Sequence, residues 1–179
     1  MSIIRESSVR KSTLENIANQ MLIAARTAPK GKGKDTLELI VISEKDITNI
    51  SEFLFNMGEK LDVDFYKRDA KNLLESGAIL LIGTEIKTLG LNEICQLCGF
   101  NNCAEKEKYP NTPCVFNTSD LSIAVGSAVS LAADLRVDNR IMFSLGKAAI
   151  KMNLFERDIK IAYGIPISAS SKNVFFDRK

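Results

Sequence analysis

Apolar residues recur at steps of three and four from early in the chain. Leu14, Ile17, Ala18, Met21, Leu22 and Ala25 share one face of a helix predicted from about Ser8 to Arg26, which Pro29 and Gly31 end. Leu37 to Ile42, LELIVI, is short and β-branched at its end, so it reads as a strand. Ser43 and Asp46 have capping-box-like spacing, and Ile47, Ile50, Phe53, Leu54 and Met57 give the inner face of a second helix. A third helix is predicted over Ala70 to Glu75. Ala78 to Ile82, AILLI, closed by Gly83, has the character of a buried strand.

The second half repeats these signals. Thr118, Ser119 and Asp120 offer N-cap chemistry for an apolar helix from Leu121 to Leu135, whose Ala, Gly and Ser content suits close approach by neighbours. Asp138 or Asn139 would cap a helix running through Met152, with Ile141, Leu145, Ala148, Ala149 and Met152 facing inward. Ile159 to Tyr163 reads as a strand broken by Gly164 and Pro166, followed by the loop SASSKN and a tail, VFFDRK, that is either ordered or exchanged. The pattern predicts an α+β class, a small central sheet covered by helices.

At 179 residues and 45% hydrophobic content, the chain is expected to form a single domain over 1–179. Its net charge of +2 argues against a nucleic-acid partner or an anionic membrane surface. The N-terminus has no apolar run of secretory length, and Leu121 to Leu135 is too short to span a bilayer. A cytoplasmic location is expected. Arg136, Arg140, Lys172 and Arg178 read as solvated charges.

All four cysteines fall in CQLCGFNNCAEKEKYPNTPC, spaced C-x2-C-x4-C-x10-C over residues 95–114. In a reducing compartment such a cluster points to metal ligation or redox chemistry before disulfides. Turn residues Gly99, Asn101 and Asn102 can wrap Cys95, Cys98 and Cys103 around one side of a centre that Cys114 closes, with Pro113 stiffening its approach. The spacing favours an iron–sulfur cluster of the 4Fe–4S type. Zinc is the alternative, as the structural ion of a non-catalytic dimer that displays an interaction surface, although paired C-x2-C knuckles are missing. Thiols without a metal are the third reading. The chain has no histidine, so no Ser–His or Cys–His nucleophile can be assembled within it.

TAPKGKGKD, Thr27 to Asp35, combines Gly31 and Gly33 with Lys30, Lys32 and Lys34. Backbone amides and ammonium groups of this kind suit a phosphate, although the spacing is not that of a P-loop. The competing reading is a helix stop whose lysines complement the helix dipole.

AARTAPKGKGKD, CQLCGFNNC, DLSIAVGSAVSLAADLRVDNRIMFSLGKAA and GIPISASSKNVFFDR together resemble a family of uncharacterised prokaryotic proteins described as containing a ferredoxin domain. CQLCGFNNCAE is also similar to the opening of the four-cysteine iron–sulfur domain of corrinoid proteins, which implies ligand roles for Cys95, Cys98, Cys103 and Cys114. The flanking segments resemble the FMN-dependent nitroreductase fold through Ala24, Ala25, Arg26, Ala28 and Pro29. That resemblance implies a nitroreductase-like homodimer with the four-cysteine segment as a loop insertion, and FMN at the subunit interface near Arg26, Thr27, Ala28, Pro29, Lys30, Gly31 and Lys34. It also implies a C-terminal arm crossing the partner and flavin-dependent oxidoreductase activity; an iron–sulfur centre would exchange electrons with the flavin or with a redox partner protein. The chain departs from the fold's usual flavin loop at Lys30–Asp35.

Overall fold

Three apolar strands and one short edge make the sheet. In a computed structural model, which describes residues 2–176, β1 (Leu37–Ser43) pairs antiparallel with β2 (Ala78–Thr84), and β2 pairs with β4 (Ile161–Ser168). The two-residue β3 (Asp138–Asn139) flanks β4, so the order is β1-β2-β4-β3. β2 is buried at every position, and its alternation feeds two cores. Ala78, Leu80 and Ile82 meet α1 (Glu6–Thr27) and α5 (Val115–Asp134) on one face. Ile79 and Leu81 meet α2 (Glu44–Leu61), α3 (Asp64–Leu73) and α6 (Phe143–Lys151) on the other. The result is the expected α+β arrangement of a small sheet covered by helices.

Several boundaries differ from the sequence reading, each for a physical reason. The third helix starts at Asp64, not Ala70, because Tyr66, Asp69, Ala70 and Leu73 form a narrow buried stripe among charged neighbours. Ser43 precedes α2 without a side-chain cap bond. Gly83 lies inside β2, where a Cβ would stand 2.4 Å from Ile159 Cγ2, so the missing side chain admits a neighbour and does not end the strand. Asp138 and Asn139 pair with Ser168 and Ile167 and cap nothing, and Ile141 is exposed.

Gly164 and Pro166 sit within β4 and do not break it. Gly164 exchanges hydrogen bonds with Met142 at 2.8 and 3.0 Å on the side away from β2. Two residues on, the proline nitrogen faces that same side, where Arg140 and Ile141 interrupt the edge and no ladder donor is needed. Gly164 and Gly146 let α6 lie flat on β4: a Cβ on Gly146 would be 1.9 Å from the Ala162 carbonyl oxygen.

α5 begins at Val115, six residues before the sequence reading placed it, with Cys114 rather than Thr118, Ser119 or Asp120 as its N-cap. At 20 residues it is long and apolar enough to cross a membrane by length and composition, which overturns the length argument above. Its Leu121, Ala124, Val125, Ala128 and Ala132 are instead buried in the first core against α1. In the tail, Phe175 is buried in the second core, and its carbonyl accepts from Arg140 Nη1 at 2.8 Å. Arg140 also lies over the Phe176 ring at 5.1 Å, so it is not a simple solvated charge. Arg178 lies outside the described residues.

Candidate functional site

Between β2 and α5 the chain leaves the sheet and folds back on itself through residues 85–114. Asn92, Gln96 and Gly99 adopt left-handed conformations, which bend the backbone tightly around the first thiols. Asn102 caps the short α4 (Cys103–Glu107), its Oδ1 accepting from the Glu105 N–H at 2.9 Å. The Phe100 and Tyr109 rings stack at 5.2 Å and clip the two arms of the segment together.

This folding brings all four cysteines onto one cavity of about 10 Å³, lined also by Leu89, Phe100, Lys106 and Phe116. Cys95, Cys98 and Cys103 are half-buried, Cys114 is buried, and all are free thiols. The Asn92 N–H donates to Cys103 Sγ at 3.4 Å, while the Asn117 N–H donates to the Cys114 carbonyl at 2.9 Å. A donor to sulfur stabilises thiolate charge and tunes a thiolate-bound centre. Among the described residues, no group of three or more His, Cys, Asp or Glu side chains is gathered closely enough to hold a metal ion as it stands. The donor set suits a four-thiolate centre, with no carboxylate lining the cavity. The volume is about that of one water, so loading requires the segment around the exposed Ile94, Leu97 and Gly99 to open.

Asn117, missed by the sequence reading, anchors this segment to the scaffold. Its Oδ1 accepts from the Cys114 N–H at 3.1 Å and the Lys87 N–H at 3.2 Å, while Nδ2 donates to the Lys87 carbonyl at 3.0 Å. It is buried, so these bonds join the end of β2 to the start of α5 away from solvent. A polar residue three places after an N-cap was the signal available in the sequence.

The lysine–glycine loop lies next to the cysteine cavity. Gly31 packs so closely that a Cβ there would stand 2.9 Å from Leu89 and 3.1 Å from Phe116. Its N–H donates to Asp120 Oδ2 on α5 at 3.0 Å. Lys30 serves the end of α1: Nζ donates to the carbonyls of Ala25, Arg26 and Ala28 at 2.9, 2.5 and 2.7 Å. Burial holds that amine below its ordinary pKa despite Asp35 nearby. Arg26 pairs with Asp35, the Thr27 hydroxyl bonds back to Ile23 and Ala24, Ala28 is buried, and Pro29 is exposed. Of the loop residues, Lys34 and Asp35 line the adjoining cavity of about 300 Å³, beside Lys87, Phe116, Asn117 and Asp120. The two cavities share Thr88, Leu89 and Phe116 as a common wall.

One charge cluster steadies this wall. Glu85, buried at the end of β2, pairs with Arg157 and with Lys87 Nζ at 2.8 Å. Burial pushes its carboxyl up, but Lys87 and Arg157 more than offset this and hold its pKa below the ordinary value. A depressed folded pKa stabilises the fold above the ordinary carboxylate range, and that contribution is lost as the pH falls through it. Glu85→Gln is therefore expected to lower the neutral-pH melting temperature by roughly 2–12 °C, from about 1–3 kcal/mol at 2–4 °C per kcal/mol. The gap from the native chain should narrow as the pH drops below the ordinary carboxylate range and close once it has fallen through the depressed folded pKa. Melting curves of both proteins from neutral to acid pH check this; a gap that stays constant would exclude the linkage.

A chain from Archaeoglobus fulgidus, described as an uncharacterized protein, is 38% identical over 184 residues that cover 98% of this chain and 97% of its own. The pattern of a family described as "uncharacterized protein containing a ferredoxin domain" matches residues 111–178, from just before Cys114 through β4. The fold is similar to that of a BluB-like flavoprotein from Clostridium difficile 630, with TM-score 0.59 and 17% identity over 89% of this chain and 82% of that one. It is also similar to an FMN-dependent nitroreductase from Clostridium difficile R20291, with TM-score 0.56 and 18% identity over 88% and 77%. At these identities the likeness is one of fold. The chain belongs to the family of uncharacterized proteins containing a ferredoxin domain, built on a nitroreductase-like α+β fold.

Proposed function

We propose that this chain is a redox protein in which Cys95, Cys98, Cys103 and Cys114 hold a 4Fe–4S cluster and FMN occupies the adjoining cavity. The observation that carries the reading is the shared wall: Thr88, Leu89 and Phe116 line both the cysteine cavity and the cavity beside Lys34. When bound, the cluster would supply one-electron transfer and the flavin an exchange between one- and two-electron steps. Lys34 and Lys87 offer positive charge at the second cavity, Asn117 holds the Cys114 backbone, and Leu89 with Phe116 excludes water between the two sites.

A homodimer belongs to the same proposal. Ser122, Ile123, Gly126 and Ser130 make an exposed, uncharged side of α5, a surface suited to a second copy. Exposed Ile94 and Leu97, beside Cys95 and Cys98, suit a redox partner protein. The setting expected for such thiols is a reducing, cytoplasmic one.

Purification without oxygen tests the reading. We expect iron and acid-labile sulfide bound to the chain, flavin released on denaturation, a brown protein, and a mass in solution twice the 19.8 kDa of one chain. Zinc near one per chain without iron would replace the cluster by the structural-metal reading. A colourless protein free of iron, sulfide and flavin would remove it altogether.

A further inference from the structure

Lys106 is a buried lysine whose counter-charge the chain does not supply. It sits in α4, is 3% exposed, and lines the same cavity as the four cysteines. Among the described residues it has neither an ion pair nor a side-chain hydrogen bond, and the acidic residues beside it are committed elsewhere. Glu105 accepts from the Asn101 backbone and side chain at 2.9 Å, and Glu107 accepts from the Thr88 hydroxyl at 2.6 Å. Its side chain is largely withdrawn from water, and the ammonium keeps a narrow contact with solvent in place of a carboxylate.

We propose that Lys106 is the built-in counter-charge of an anionic centre held by the four cysteines, a positioning residue that favours the more negative state of that centre. The inference rests on the iron–sulfur reading above. A doubly positive cluster core on four thiolates is a dianion, and one electron from an external low-potential reductant makes it a trianion. A positive charge on a residue that lines the same cavity stabilises the trianion more than the dianion, so Lys106 raises the reduction potential. The Asn92 N–H donor to Cys103 acts in the same direction.

The test compares the native chain, Lys106→Met and Lys106→Arg, all loaded without oxygen and assayed first for iron and sulfide. Each is then titrated with dithionite against redox dyes, following the visible spectrum. Lys106→Met should lower the ratio of reduced to oxidised centre at fixed potential about tenfold, which is 59 mV for a one-electron couple. Lys106→Arg should keep most of the native value. The metal-free Lys106→Met chain should melt no lower than the native one, since the removed charge had no partner to lose. A Met variant that loads no iron, beside an Arg variant that does, also supports the role of charge. An unshifted potential in fully loaded Lys106→Met overturns the proposal. So does failure of both variants to load, or a metal-free Met variant that melts well below the native chain. A native chain that takes up no iron fails before any substitution, which marks the loss of the cluster reading itself and takes this proposal with it.

Discussion

Cys98→Ser is expected to leave the chain folded and to abolish stable iron binding. Cys98 is half-buried on a turn-rich segment that contributes little to either core, so exchanging sulfur for oxygen costs the scaffold almost nothing. It removes one of the four proposed ligands, and a serine hydroxyl at neutral pH offers no anion in its place. Changes even one shell outside a metal typically cost 10–100-fold in affinity, so losing a ligand should cost at least about 100-fold. Iron and sulfide content after anaerobic purification would measure this, with circular dichroism as the control for folding. Cys114→Ser separates two roles of one residue. Serine is itself a favourable N-cap, so α5 should start as before while the centre is lost. Native iron content in Cys98→Ser would show that this thiol is not a ligand.

What the sequence disclosed tracks how local each cause is. β2 was visible because AILLI needs only its own apolar run, and the four cysteines were visible because ligand spacing is a one-dimensional pattern. β4 was cut short because Gly164 and Pro166 are strand breakers by local preference. Leu145 fills the space above the glycine, and an irregular edge tolerates the proline, and neither fact is local. The start of α5 was missed because cysteine is not read as a cap, although Asn117 completes the box. The lysine–glycine loop stayed ambiguous for a similar reason. Whether Lys30 faces a ligand or its own helix end depends on a side-chain path that composition does not reveal. Lys106 was invisible as a buried charge because the run Glu105–Lys108 has the composition of a solvated face.

Leu80→Ala should separate scaffold from site in the opposite sense, with a large loss of stability and no loss of loading. Leu80 is fully buried in the central strand, within the core shared with α1 and α5, and its partner across the strand pair is Val41. Truncation removes apolar contact and leaves a void that strand β2, hydrogen-bonded on both sides, cannot collapse to fill. The expected cost is about 2–5 kcal/mol, or roughly 4–20 °C in melting temperature at 2–4 °C per kcal/mol. The cysteine cavity lies beyond the end of β2 and shares no lining residue with this core. The folded fraction of Leu80→Ala should therefore bind iron in the native ratio, read from iron per folded chain well below the melting temperature. A proportionate loss of iron would mean that the cavity depends on the packing of the first core. In that case Asn117, at the start of the α5 helix that lines the core, would be the route by which the packing reaches Cys114.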